Sequence, residues 1–153
     1  MSLFRSIIIA GVRSGCGKTT LSSAIMATLK EDGYVVQPFK VGPDYIDPAF
    51  HRYICERPSY NLDSWIMGLD GVRNTFFKAT EGADFAVIEG VMGLFDGKAD
   101  APTPNKRVYY GSTAHIASIL GIPLILIVDA TAMAQSVGAI IYGFKHYVKD
   151  LNI

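Results

Sequence analysis

Residues 7–21, IIIAGVRSGCGKTTL, constrain this chain more than any other stretch. The β-branched run Ile7, Ile8, Ile9 reads as a buried strand. It stops at Gly11, passes through a loop holding Gly15 and Gly17, and enters a helix at Lys18, Thr19 and Thr20. In that order, strand, glycine loop and helix turn backbone N–H groups toward one point, and the helix N-terminus adds about half a positive charge behind them. Such a corner binds phosphate. Gly11, Arg13, Ser14, Gly15, Cys16, Gly17, Lys18, Thr19 and Thr20 therefore form the expected nucleotide-binding loop. Lys18 is placed for the β/γ-phosphates and the Thr19 hydroxyl for a magnesium ion. The spacing is G-x5-G-K-T, with Val12 standing where the strict pattern has glycine. Cys16 is expected to offer only its backbone.

The chain has 153 residues, enough for one domain that buries roughly two thirds of its unfolded surface. Half the residues are hydrophobic, which excludes disorder. Fourteen basic residues balance fourteen acidic ones, so nothing in the overall charge favours nucleic acid or a membrane surface. The two cysteines, Cys16 and Cys55, make neither a disulfide framework nor a zinc spacing. Arg5 interrupts any signal-like start, and the longest apolar run, around 116–128, is broken by Ser118 and Pro123. A cytoplasmic protein is the expectation.

Periodicity predicts strands at 5–10, 34–41, 84–90 and 123–128, and helices at 18–32, from Pro48, at 71–79, 113–120 and about 133–149. Asp47 reads as the N-cap ahead of Pro48, and Ser112 as the cap of the helix that follows it. Residues 57–67 and 91–110 read as irregular. Strands alternating with helices, as continuous apolar runs, give an α/β fold: a P-loop NTPase-like parallel sheet with helices on both faces. The loops after residues 10, 41, 89 and 129 then face one cleft at the strands' carboxyl ends. The sequence ends where a further strand is expected, so residues 1–153 read as the N-terminal part of a larger synthetase domain, truncated at its C-terminus.

Carboxylates beside a triphosphate need a cation between them. Glu89, ending FAVIEG, with Asp44, Asp47 and Thr19, makes an expected magnesium ring; a helix cap for Asp47 and a turn for Asp44 are the plainer alternatives. Lys40 would neutralise charge on a transferred phosphoryl group, or is a surface lysine. Asp96 in GLFDG would orient a nucleophile, or closes a turn. His51, His115 and His146 form no triad or metal spacing and read as structural.

The blocks FKVGPDYIDPAFH, NLD at 61–63, VIEGVMGLFDG and GSTAHIASILGIPLILIVDA, together with the phosphate loop, resemble cobyrinic acid a,c-diamide synthase, within the wider dethiobiotin-synthetase-like group. The resemblance implies ATP- and magnesium-dependent amidation of two peripheral carboxylates of a corrin, with ammonia from glutamine. It assigns Lys18 and Thr19 to triphosphate and metal, and Asp44, Asp47 and Glu89 to metal binding and phosphoryl transfer. Asp96 would position ammonia or the substrate carboxylate. Tyr45, Ile46, Met92, Leu94 and Phe95 become candidates for packing on the tetrapyrrole, with plain core roles as the alternative.

The glutaminase domain with its cysteine nucleophile, which the family carries at the C-terminus, is not in this sequence, so ammonia would come from outside these residues. ATP binding by these residues alone is expected to be weak. A nickel tetrapyrrole is the nearest rival substrate. Arg13 stands where partition-type ATPases have a signature lysine, and that rival reading expects an ATP-dependent homodimer.

Overall fold

A computed structural model describes residues 5–101 and 103–153; Pro102, within the predicted 91–110 loop, lies outside them. In chain order the elements are β1 (Arg5–Gly11), α1 (Lys18–Glu31), β2 (Val36–Val41), α2 (Ile46–Cys55), β3 (Tyr60–Leu62), α3 (Gly68–Ala79), β4 (Phe85–Glu89), α4 (Thr113–Leu120), β5 (Leu124–Ile127) and α5 (Ser136–Tyr147). The strands form one five-stranded sheet in the order β3-β2-β4-β1-β5, with every pairing parallel. This is the α/β fold expected from the alternation. No described helix is long and apolar enough to cross a membrane.

Because successive strand residues point to opposite faces, each buried strand feeds two cores. Ile8, Ala10, Phe39, Val41, Ala86 and Ile88 pack into the larger core with Val72 and Phe76 of α3 and Ile116 of α4. Ile9, Val36 and Val87 pack on the other face with Met26 of α1 and Cys55 of α2. Above Pro38 and Val87 on this second face, β2 and β4 end in Lys40 and Glu89, not hydrophobes. Two charged side chains thus end a buried apolar column under α1 and α2.

Three local differences from the sequence reading matter. β3 lies in the stretch read as irregular; its three residues pair with Phe39–Val41, and the Asn61 amide donates to the Gly42 and Asp44 carbonyls at 2.7 and 2.6 Å. α2 starts at Ile46, before Pro48, because Asp44 and not Asp47 satisfies its first amides: Asp44 Oδ1 accepts from Ile46 N at 2.8 Å and from Asp47 N at 3.4 Å. α5 is shorter at both ends than the predicted 133–149. The cap at Ser112 is as read, its hydroxyl accepting from His115 N at 3.1 Å.

Candidate functional site

The sheet register builds the site. Glu89, the last residue of β4, lies beside Ile9 of β1 and Lys40 of β2. Its carboxylate is fully buried and receives four side-chain donors. Thr19 Oγ1 donates to Oε1 at 2.5 Å and Lys40 Nζ to the same oxygen at 2.9 Å. Ser22 Oγ donates to Oε2 at 3.0 Å, and His51 Nε2 lies 2.7 Å from that oxygen. An ionised carboxylate only accepts, so His51 Nε2 carries the proton of that bond, and in the neutral ring Nδ1 accepts from Ser59 Oγ at 3.3 Å. Four donors fill the lone-pair positions of both oxygens.

Lys40 is equally committed. Its ammonium donates to Asp47 Oδ2 at 2.5 Å, to Glu89 Oε1 at 2.9 Å and to the Gly90 carbonyl at 3.4 Å, with Asp44 Oδ2 at 3.9 Å. Lys40 thus stands among the three acids of the expected metal ring. Asp44 spends its other oxygen on the start of α2, and only Asp47 and Glu89 face the phosphate-loop cleft. Nor is Lys40 a surface residue, being 4% exposed.

Burial alone would raise the Glu89 carboxyl, but the bonds from His51, Thr19 and Lys40, with the charge of Lys40, bring it from 4.5 down to about 2. Burial would lower Lys40, and its bonds to Asp47 and Glu89 reverse that and raise it above 10.5. The signs follow from linkage. Glu89 contributes stability that is full above 4.5 and lost as pH falls toward about 2; the contribution of Lys40 is full below 10.5 and lost as pH rises through its raised value. The acid limb is worth on the order of 3 kcal/mol. Urea unfolding followed from neutral pH down to about pH 3 will show a larger stability loss than the Glu89→Gln variant shows; equal acid limbs in the two proteins would refute the assignment.

The phosphate loop closes over a cleft of about 380 Å³ bordered by Thr19, Lys40, Asp47 and Glu89. Gly17 has φ 99°, a conformation that favours glycine, and it begins α1 with no side-chain cap. Gly11 is required for a different reason: a Cβ there would stand 2.2 Å from Cys16 Sγ. So the Cys16 side chain, read as idle, fills the space under the loop. Lys18 Nζ donates to the Arg13 carbonyl at 2.9 Å and the Met92 carbonyl at 2.6 Å, tying the loop to the segment after β4, and burial lowers its pKa. Arg13 pairs with Asp129, beyond β5, at 2.6 Å.

Other predicted residues fall in several places. Asp96 closes a turn, accepting from Gly93 N at 2.9 Å, and lies near enough to act on the Lys18 charge. Tyr45 and Ile46 are exposed at the tip of β2, and Met92 is half-exposed beside the cleft. Leu94 is withdrawn from the substrate contacts: it is fully buried in the larger core, its amide bonded to the Gly11 carbonyl at 2.8 Å. Phe95 turns away to stack on Phe144 at 5.4 Å. His51, read as merely structural, is part of the site. Its spacing of four from Asp47 on one helix was the available signal. His115 bonds Ser64 Oγ at 2.8 Å, away from the cleft lining.

Residues 7–150 match the CobQ/CobB/MinD/ParA nucleotide binding domain family. The chain is 49% identical over 149 residues to the cobyrinate a,c-diamide synthase of Caldanaerobacter subterraneus subsp. tengcongensis, covering 97% of this chain and 31% of that relative. It is 47% identical over 149 residues to the enzyme of the same name from Priestia megaterium, with the same coverage of 97% and 31%. The one from Leptospira interrogans serogroup Icterohaemorrhagiae serovar copenhageni is 44% identical over 147 residues, covering 96% and 31%. The chain thus spans 31% of the length of these curated relatives. Among solved structures, the signal recognition particle receptor FtsY from Elizabethkingia anophelis superposes with a TM-score of 0.65 at 15% identity, covering 97% of this chain and 49% of that one. That likeness is one of fold.

Proposed function

This chain belongs to the CobQ/CobB/MinD/ParA nucleotide binding domain family, and on that premise we propose that it is the ATP-binding, phosphoryl-transferring part of an amide ligase acting on the a and c carboxylates of cobyrinate. The reading is carried by one observation: Lys40 holds a buried positive charge against Asp47 and Glu89 on the wall of the phosphate-loop cleft. A carboxylate is a poor acyl donor because its leaving group would be oxide. Moving the γ-phosphoryl group of ATP onto it gives an acyl phosphate; ammonia then attacks the carbonyl carbon, phosphate leaves and an amide remains. The work left to the protein is positioning and charge neutralisation.

The residues divide that work. Lys18 and the N-terminus of α1 hold the β/γ-phosphates. Lys40 stands beside the oxygens that gain charge as the phosphoryl group moves. Thr19 donates its hydroxyl hydrogen bond to Glu89, which leaves the lone pairs of Thr19 Oγ1 for the cleft. A hydroxyl and carboxylates are the hard oxygen donors magnesium takes, and no cluster of three His, Cys, Asp or Glu among the described residues forms a dedicated cage. Thr19, supported by Glu89 and Asp47, would therefore hold magnesium together with phosphates and water; when bound, the ion supplies charge neutralisation on the triphosphate. Ammonia comes from elsewhere. Cys55 is buried with its thiol pushed up to about 11, and Cys16 packs beneath the loop, so neither is a glutaminase nucleophile.

Replacing Lys18 by methionine will weaken magnesium-ATP binding by about 10- to 100-fold, the loss expected for charge-assisted bonds to phosphate. Calorimetric titration measures it, with circular dichroism as the check on folding. The reaction itself is tested by supplying cobyrinate, magnesium-ATP and ammonium and following amide by mass spectrometry, with hydroxylamine added to trap the acyl phosphate. A chain that binds magnesium-ATP yet gives no trapped acyl phosphate overturns the assignment of phosphoryl transfer to these residues.

A further inference from the structure

Beside the phosphate cleft lies a second cavity of about 260 Å³, and the two share Val91 and Met92 as a common wall. Trp65 and Tyr110 form its far side, edge to face at 6.2 Å. Lys98 reaches over the Trp65 ring, its ammonium 4.7 Å from the centroid. Trp65 and Met92, both in the cavity lining, are exposed at 53 and 44%, and Tyr45, Ile46 and Ile66, in the segments that follow β2 and β3, at 85, 61 and 66%. So much apolar surface beside a polar cleft marks a binding surface.

The aromatic wall is held from below by buried polar groups. Asp63, 7% exposed, accepts the amides of Trp65 at 2.8 Å and Ile66 at 3.1 Å. Ser64, 1% exposed, accepts the Gly111 amide at 2.9 Å and bonds His115 Nδ1 at 2.8 Å, which locks the turn after β3 to α4. Lys98 N donates to the Tyr110 carbonyl at 2.9 Å, and a Cβ at Gly97 would stand 2.6 Å from that same oxygen. The backbone carrying Trp65, Tyr110 and Lys98 is thus held before any ligand arrives, so ordering it costs binding little.

We propose that this second cavity seats the macrocyclic substrate, its flat apolar face on Trp65 and Met92 and one peripheral carboxylate on Lys98, while a neighbouring carboxylate crosses the Val91–Met92 wall to the phosphate. The inference rests on the ligase reading and adds the residues that grip the ring. A volume of 260 Å³ is too small to enclose a tetrapyrrole, so the ring lies across the opening with one edge inserted. Lys98 pairs with Asp100 at 2.9 Å, but that pair is exposed and such pairs contribute little, so the ammonium is free to exchange partners.

The chain has a single tryptophan, which makes the test direct. Cobyrinate titrated into the chain will quench Trp65 emission saturably, and equilibrium dialysis read by ring absorbance will give the same Kd. Lys98→Met will weaken cobyrinate about tenfold and leave a fully amidated corrin unaffected. Trp65→Ala, read by dialysis, will weaken both ligands about tenfold or more, and Trp65→Phe will restore most of that. Neither Lys98→Met nor Trp65→Ala will alter magnesium-ATP binding. Cobyrinate that binds in dialysis with a Kd unchanged by both substitutions would falsify this seat while leaving the ligase reading intact. A chain that binds magnesium-ATP but no cobyrinate overturns the ligase reading, and the seat with it.

Discussion

Replacing Lys40 by methionine will destabilise the chain by roughly 3–5 kcal/mol, the usual cost of stripping one partner from a buried ion pair. Methionine nearly matches the lysine stem in volume, so lost packing is a minor part of the change. The lost charge is the larger one. Asp47, its side chain 21% exposed, can turn to water, but Glu89 cannot: it stays buried with Thr19, Ser22 and His51 as donors and without the ammonium. For a domain of this size the loss lowers Tm by about 10 °C or more. Urea unfolding at neutral pH measures it. Pairing the change with Glu89→Gln removes the buried charge together with its counterion, so the double variant will lose less than the sum of the two single changes. A loss under about 1 kcal/mol for Lys40→Met would show that water, not Lys40, balances Glu89.

The network at Lys40 shows where reading the sequence stops. β1, the glycine loop and α1 were legible because isoleucines, glycines and the Lys18–Thr19 pair each encode local structure without help from the rest of the chain. Glu89 was legible as the polar end of an apolar run. Its partner was not. That Lys40 lies beside Glu89 depends on the β2–β4 register, which no local pattern states, so three acids near one loop read as a metal ring when a lysine already stands among them. The D-x-x-D-P stretch held a similar ambiguity. Asp47 before Pro48 has the form of a cap, yet Asp44 takes the first amides of α2 and leaves Asp47 for Lys40. β3 was hidden because three residues, Tyr60, Asn61 and Leu62, are too few to show a period; pairing with β2 and the Asn61 amide make it a strand. Leu94 looked available only because its loop folds back over the tip of β1, a long-range event.

On the proposed ligase reading, Glu89→Gln will leave a folded protein whose phosphoryl transfer is slowed by about 10²–10³, the range for removing one preorganised electrostatic contact. The fold survives for a specific reason. A glutamine side chain has one accepting oxygen and one donating nitrogen, so one side of the former carboxylate must now meet an acceptor. Lys40 has no lone pair to offer, whereas the Ser22 hydroxyl can rotate and His51 can move its proton to Nδ1 and donate to Ser59. The amide oxygen therefore turns to Thr19 and Lys40 and the nitrogen to Ser22 and His51. Hydrogen bonds are kept, but the negative charge that holds the Lys40 ammonium and orients the Thr19 proton is gone. Magnesium-ATP affinity will change by less than about threefold, since Lys18 and the α1 N-terminus are untouched. The loss will appear in the turnover of cobyrinate to its hydroxylamine-trapped acyl phosphate, not in nucleotide binding. A Glu89→Gln protein that keeps its turnover within about threefold of the parent would mean that the carboxylate only packs the site, and the transfer chemistry would then have to be assigned to Asp47 and Lys40 without it.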